Sequence, residues 1–527
     1  MGVKGQSYQL DFLSGGFQHN PNSDSIPDNS MVDPSRNINL HTGGRKKRGG
    51  TQKVFSTPIA GTPEMRALFY FTKSNNVNAL VTGTANGKII KLVNAANVEL
   101  KSGLTVDSQP WMETFNDVMY FCNGADKVQT WDGVAGATSD LGTPPTDWGT
   151  ASPKVILKHS RQNSLRLAAI GAPGKENNLY VSDTSGSFAD ANVTVFRIDS
   201  GDPGGLVGLV EFGERLIIFS RNFAFILDDD DLSIANWGYV RTQWTGGAGS
   251  QRLIVKTPND VLVMTADGEV YSISTVTDFG DYKYASLLKP SWLHDWMVEN
   301  VDFTKLSTDG HGVYDPILRA VKFFVPRLGQ TEVDTCIVYF LDRRPGEEWS
   351  IHDTEAAGDI SGYRASCSTY GPDINNNFFV LTGNYLGNTW KLEQPELRDG
   401  ASGGYYAGFF TPHLHFGNPR QRKAYRGTQI VARPEGDYYL TIRWIVDGAD
   451  RGLKTTSLAG IGGIYGSGVF GTAVYGGQSL IQSAFETRAI GTRIQYEIFN
   501  QNANEDFFVT RLMCDFKPLG TRPTWDA

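Results

Sequence analysis

The chain has 527 residues, 40% hydrophobic and 20% charged, with 59 glycines and 23 prolines. Glycine at this level beside 12% aromatics is what tight turns between pleated strands require, so long helices, coiled coil and disorder are disfavoured. The formal net charge of −8 excludes a general electrostatic glove for nucleic acid and confines any DNA contact to local patches.

No run approaches the ~20 apolar residues of a membrane span, and residues 1–6 lack the apolar core of a secretory signal. Neither a membrane anchor nor export is expected, and assembly is expected in cytosol. Gly2 suggests myristoylation, but Ser7 lies one place beyond the usual hydroxyl position. Cys122, Cys336, Cys367 and Cys514 are scattered singly and read as small hydrophobes rather than a disulfide framework or a zinc site.

The first ~55 residues read as an extended arm. Between Gln18 and Arg36 nearly every residue is a turn former, and Pro21, Pro27 and Pro34 each push the preceding residue out of the helical region. The arm ends in a basic cluster, Arg45, Lys46, Lys47 and Arg48, bracketed by paired glycines. That cluster reads either as a solvated turn before the first strand or as a patch for an acidic partner surface or a phosphate backbone.

Beyond the arm an apolar or alternating run, a turn and a second such run recur, the period-2 signal of half-buried strands. Seven turns mark the units: Gly87, Gly124, Gly186, Asn222, Gly268, Gly329 and Gly383. The Asn-Gly pairs at 86–87 and 123–124 and the Asp-Gly pair at 267–268 are strong hairpin signals. Their spacing averages about fifty residues, near the repeat of a propeller blade, although a stack of β-sandwiches also yields such hairpins. The sequence therefore predicts an all-β chain: an arm over 1–55, a β-propeller of six or seven blades over 56–400, and a C-terminal β-sandwich-like domain over 401–527. The last rests on alternating runs at 438–446, 493–499 and 507–513, after a Gly-rich boundary near 399–404. Between them the uncharged segment 458–477, with Tyr465, Phe470 and Tyr475, reads as exposed loop or as surface buried on assembly.

Candidate chemistry is thin. His413 and His415 share a strand face without a carboxylate or cysteine at ligand spacing. The run Asp228, Asp229, Asp230 and Asp231 lacks the alternating spacing of a calcium loop. Glu347 and Glu348, with Asp342, flank Arg343 and Arg344 in a mixed-charge turn rather than forming a glycosidase pair. No phosphate cradle or nucleophile elbow occurs. No enzymatic activity and no cofactor is expected. A second basic cluster, Arg420, Arg422, Lys423 and Arg426 around Tyr425, reads as a cationic strand face for an acidic neighbour or for phosphate.

The opening, Asp11 to Phe17 with Gly15-Gly16, then Ile26-Pro27-Asp28-Asn29, Asn37-Ile38-Asn39 and Gly44 through Gly50, resembles the N-terminus of tailed-bacteriophage tail hub or nozzle proteins, including the packaged-DNA-stabilising (head completion) proteins of short-tailed phages. Leu179 to Asp183, Phe212 to Phe219, Thr265 to Tyr271, Tyr314-Asp315 with Arg319, and Glu348 to Ile351 are similar to successive blades of that group, in the same order. The resemblance implies a structural virion protein in the head–tail connector complex, found in the tail and assembled in host cytoplasm. It implies a homo-hexameric ring that closes the DNA channel, stabilises packaged DNA and passes it during ejection. The implied partners are further copies of itself, portal and adaptor proteins, and tail fibres or tail-tip proteins, with transient non-specific contact with phage DNA. An acidic lumen suits passage, because strong contacts to phosphates retard it. On this reading the two basic clusters and the Gly-aromatic segment are subunit or partner contacts, and alanine at all four of residues 45–48 leaves folded monomers that fail to join particles. The alternative is a tail-tip or fibre-base protein that recognises a host receptor or glycan, with Trp111, Trp131 and Trp244 as stacking candidates.

Overall fold

In a computed structural model the described residues are 5–12, 14–20, 25–41, 43–94, 96–134, 136–161, 164–242, 246–273, 286–354, 361–400, 403–459 and 480–521. Among them the chain is all-β, built of small antiparallel sheets, with two short α-helices, Leu293–Asn300 and Phe303–Asp309.

Seven of the sheets follow one another along the chain, over 65–101, 111–140, 155–197, 206–241, 254–272, 311–353 and 367–394. Each of the seven turns read from sequence falls in a different one of them. Gly87, Gly124, Gly186, Gly268 and Gly329 have φ between +73° and +84°, the left-handed region these tight turns need and where a Cβ is penalised. Each sheet opens with a strand that lies against the opening strand of the next. These strands are Met65–Thr72, Trp111–Phe115, Val155–Arg161, Leu206–Phe212, Ile254–Lys256, His311–Asp315 and Cys367–Pro372, and the last also lies against the first. The apolar clusters follow the same cycle. Phe71, Val81, Met119 and Trp131 pack between the first two sheets, Ile156, Leu167 and Tyr180 continue between the second and third, and Met65, Leu80, Cys367 and Leu381 close the seventh onto the first.

The fourth strand of the seventh sheet comes from the other end of the chain. Gly50–Lys53 pairs antiparallel with Thr389–Gln394, Lys53 opposite Trp390 and Gln52 opposite Lys391. The N-terminal segment is extended, but it is woven into the body rather than standing apart. Phe17 N donates to Trp349 O (2.8 Å) and Asn37 N to Ile351 O (2.8 Å), so the segment runs along the last strand of the sixth sheet, Trp349–Asp353.

The same segment completes the C-terminal part. One sheet there orders Ile38–His41, Gly44–Lys47, Phe508–Thr521, Gln421–Arg433 and Ile481–Gly491, with Gln6–Asp11 also paired to Phe508–Thr521. The other orders Val32–Arg36, Ala407–Phe410, Ile494–Asn500, Tyr439–Val446 and Ala449–Ser457. The two meet through Thr428 and Tyr496, whose hydroxyls lie 2.7 Å apart, and through the Trp444 and Phe485 rings. Alternation is clear in Tyr439–Val446, where Leu440, Ile442, Trp444 and Val446 are buried and the intervening residues are more exposed.

A Cβ on Gly50 would lie 2.4 Å from the backbone N and O of Arg398. Gly50→Ala is therefore expected to cost about 1–3 kcal/mol through overpacking, read as a lower midpoint in chemical denaturation; an unchanged midpoint would mean that this strand is not seated against the seventh sheet.

Candidate functional site

The first basic cluster is internal, which corrects its reading as a solvated turn or a four-residue surface patch. Gly44–Lys47 is a strand, and Arg45, Lys47 and Arg48 are at most 1% exposed. The Arg45 guanidinium lies 4.5 Å from the centroids of both Phe12 and Phe409 and donates to Gly15 O and Asn29 O. Lys46 is the partly exposed member and pairs with Asp506 at 2.9 Å. Lys47 Nζ donates to Asn500 Oδ1 (2.9 Å) and to Asn502 O (2.8 Å).

Arg48 is the most fully used. Its Nη1 and Nη2 donate to the two carboxylate oxygens of Asp399 at 3.1 and 2.8 Å, its Nε donates to Asn37 Oδ1 (2.8 Å), and its plane lies between Tyr363 (4.2 Å) and Tyr405 (3.8 Å). A bidentate Arg–carboxylate pair with every remaining donor directed is the geometry in which a buried charge is tolerated.

A second buried group adjoins it. Lys322 Nζ lies 2.8 Å from Asp315 and 3.0 Å from Glu393, and Tyr363 OH and Asn39 Nδ2 also donate to Glu393. Burial opposes ionisation of Glu393, yet Lys322 outweighs it and holds the carboxyl well below its usual range. Burial pushes the His352 imidazole down to about 3, so it is neutral in this setting. Sequence reasoning missed Lys322, Glu393, Asp399 and Tyr363, because apart from the Lys322–Asp315 pair across a hairpin their partners lie tens to hundreds of residues away. The paired glycines were the available signal. A Cβ on Gly44 would meet Val509 O and one on Gly49 the Glu393 backbone, each at 2.4 Å, so close packing demands both.

The second basic cluster divides. Lys423 is 1% exposed and its Nζ donates to the carbonyls of Asn418, Gln421 and Thr492. Arg420, Arg422 and Arg426 are exposed, and among the described residues their side chains form no ion pair. Tyr465, Phe470 and Tyr475, like Trp244 and most of the Gly-aromatic segment, lie outside the described residues. Trp131 is core at 2% exposure, whereas Trp111 is half-buried with its Nε1 tied to Ile156 O at 2.9 Å.

The other candidates have local partners. Asp229 is buried with His159 Nε2 at 2.6 Å, Asp230 pairs with Arg161 and Arg215, and Asp231 accepts from Ser233 N and Asn236 Nδ2. Among the described residues no three His, Cys, Asp or Glu gather as metal ligands, His413 and His415 included. In the mixed-charge turn Asp342 pairs with Arg319 at 3.0 Å, but Glu348 is only 2% exposed. All four cysteines are buried free thiols.

The opening strands of the seven sheets also frame two adjoining cavities. The larger of the two, of about 390 Å³, is lined by Arg66, Trp111, Lys154, Ser250 and Arg252, among others. The smaller, of about 230 Å³, shares Arg66, Trp111 and Arg252 and is lined also by His311 and Ser368.

No protein-family model and no curated protein matches this chain. Among solved structures it is similar to the computationally designed Ika8 protein (11% identity, 65% of this chain and 99% of that chain, TM-score 0.31). It is also similar to BBS1N in complex with ARL6DN (11% identity, 66% and 97%, TM-score 0.39). A third likeness is to PorZ, a surface component of the type-IX secretion system of Porphyromonas gingivalis (12% identity, 71% and 44%, TM-score 0.36). At these TM-scores the similarities carry no argument about fold or function.

Two outcomes follow from the buried charges. Replacing Arg48 by Met leaves Asp399 buried without its cation and is expected to cost about 3–5 kcal/mol in a denaturant titration. Adding Asp399→Leu should recover most of that loss, and a double variant as unstable as the single one would argue against a private pair. Burial raises the Glu348 carboxyl to about 7. Above its unfolded value of about 4.3 the unfolded state gives up its proton while the folded state keeps it, so this group removes stability as pH rises from about 4.5 to 7. Glu348→Gln should flatten that falling limb in unfolding midpoints measured at pH 5 and pH 7; an unaltered limb would assign it to other groups.

Proposed function

We propose that this chain is a seven-bladed β-propeller joined to a β-sandwich-like domain, and that it is a structural virion protein that forms a ring in a bacteriophage tail. The ring would close the DNA channel, hold packaged DNA and pass it during ejection. The propeller reading is supported by seven successive sheets whose opening strands touch in a cycle, with the Gly50–Lys53 strand joining the two ends of that cycle. The ring reading is supported by the resemblance, in order along the chain, to tail hub and nozzle proteins.

The observation that carries assembly is the strand Gln421–Arg433. With the N-terminal cluster spent inside the chain, Arg420, Arg422 and Arg426 are a basic face without ion pairs among the described residues, in a protein of net charge −8. A second copy offers such a face abundant acidic surface.

Electron microscopy of the purified protein is expected to show rings of about six copies around a channel. The charge-reversed variant Arg422→Glu/Arg426→Glu is expected to remain folded, with an unchanged circular dichroism spectrum, but to run as a monomer. Monomeric wild-type protein at the periphery of particles would count against the ring, and rings that persist in the variant would count against this strand as the contact.

A further inference from the structure

The cavities framed by the opening strands hold polar groups that the ring reading leaves without a task. Arg252 Nη1 donates to Thr308 O (3.2 Å) and its Nη2 donates to Ser366 O, but no carboxylate pairs with it among the described residues. Lys154, exposed at the mouth and lying over Gly124 and Gly171, likewise makes no ion pair among them. Arg66 is paired with Glu64 (3.1 Å) and with Asp107 (3.4 Å). The larger cavity thus gathers three cations against one lining acid, Asp107, in an acidic protein.

Unused hydrogen-bonding capacity faces the same space. Ser250 of the larger cavity and Ser368 of the smaller have buried hydroxyls with no partner among the described residues. His311, 2% exposed, stacks on Phe324 at 4.7 Å, and its Nδ1 lies 3.3 Å from Asp309 O. Its Nε2 is buried with no partner among the described residues. Burial and Arg252 hold this imidazole well below its ordinary value, so when Nδ1–H donates to Asp309 O, Nε2 is a free acceptor. A buried polar atom without a partner calls for an explanation, and where several line one cavity the groups of a bound ligand supply it. Between these atoms stands Trp111, its ring fixed through Nε1 and half-buried in both cavities.

We propose that this cleft binds a saccharide unit bearing a carboxylate, a hexuronic or sialic acid. The carboxylate would sit between Arg252 and Lys154, the C–H face of the ring would pack on Trp111, and hydroxyls would reach Ser250 and His311. An aromatic plate, fixed hydroxyl partners and an unpaired arginine are together the complement of an acidic sugar, whereas a bare anion uses the cations alone. A volume of about 390 Å³ lies within the usual range of small-molecule sites. The smaller cavity also carries Glu113, whereas Lys154 lines only the larger, so the anionic end belongs in the larger one.

The test is calorimetric titration of the full chain with glucuronate, galacturonate, N-acetylneuraminate, glucose and inorganic phosphate. Binding of at least one acidic sugar is the expected result, with glucose at least about tenfold weaker because it lacks the charge-assisted hydrogen bonds, and phosphate at least about tenfold weaker because it has no ring for Trp111 and no hydroxyls placed for both Ser250 and His311. Lys154→Gln, at an exposed position outside the core, should weaken that binding by about tenfold, and Trp111→Leu should abolish the saturation transfer from protein to sugar protons seen by NMR. Phosphate binding as tightly as the sugars would overturn the saccharide assignment. Binding by none of the acidic sugars, or affinity unchanged in Lys154→Gln, would overturn the site. Neither result bears on whether rings form, so the two readings fail separately.

Discussion

The pair between Arg48 and Asp399 is the constraint on which the rest of the structure depends. It joins residues 351 positions apart in a region where both side chains are at most 2% exposed. A charge so placed is favourable only with its partner and its hydrogen bonds present, so the two chain segments are ordered together or not at all. Asn37, Thr51, Tyr363 and Tyr405 all direct polar groups or rings at this pair, and Thr51 lies in the strand that completes the seventh sheet. Thus one ionic contact registers the N-terminal segment against both the seven-sheet body and the C-terminal sheets.

This placement explains a division of labour between the two basic clusters. A strand added to a sheet edge removes an unpaired row of N–H and C=O groups, and Gly50–Lys53 does so for Thr389–Gln394. To reach that edge the preceding residues must pass between the sixth sheet and the C-terminal sheets, where the cations of Arg45, Lys47 and Arg48 are met by carbonyls, amides, rings and one carboxylate. Outward basic character is left to Arg420, Arg422 and Arg426. The acidic run after Asp228 is absorbed similarly, by His159, Arg161 and Arg215, which leaves its carboxylates committed to structure.

The opening strands create a different environment from the sheet interiors. Between sheets the side chains interdigitate as apolar clusters, whereas at the convergence of the opening strands the backbones cannot approach closely enough to exclude space. Arg66, Arg252 and His311 line what remains. Arg66 is met there by Glu64 and Asp107, whereas Arg252 is buried with carbonyl partners and no paired carboxylate among the described residues, and such a buried charge is costly for folding alone.

Much of the local architecture was legible in the residues. Gly87, Gly124 and Gly268 follow Asn or Asp between apolar runs, and each closes a hairpin, because the turn chemistry is decided by two adjacent residues. Leu440, Ile442, Trp444 and Val446 alternate because a strand with one buried face must. Basic residues between paired glycines read as solvated or as a partner patch, yet Arg45, Lys47 and Arg48 are core, and the same composition left Arg422 outside and Lys423 inside. The cleft was not legible, since Arg66, Trp111 and His311 come from three separate sheets and Arg252 from the turn before a fourth. The sequence by itself determined the strands, the turns and the all-β class, all of which depend on neighbours a few residues away. Only the tertiary structure decided which charges are buried, which strand fills the last edge and which side chains share a cavity, because those depend on partners brought together across hundreds of residues by the packing of the sheets.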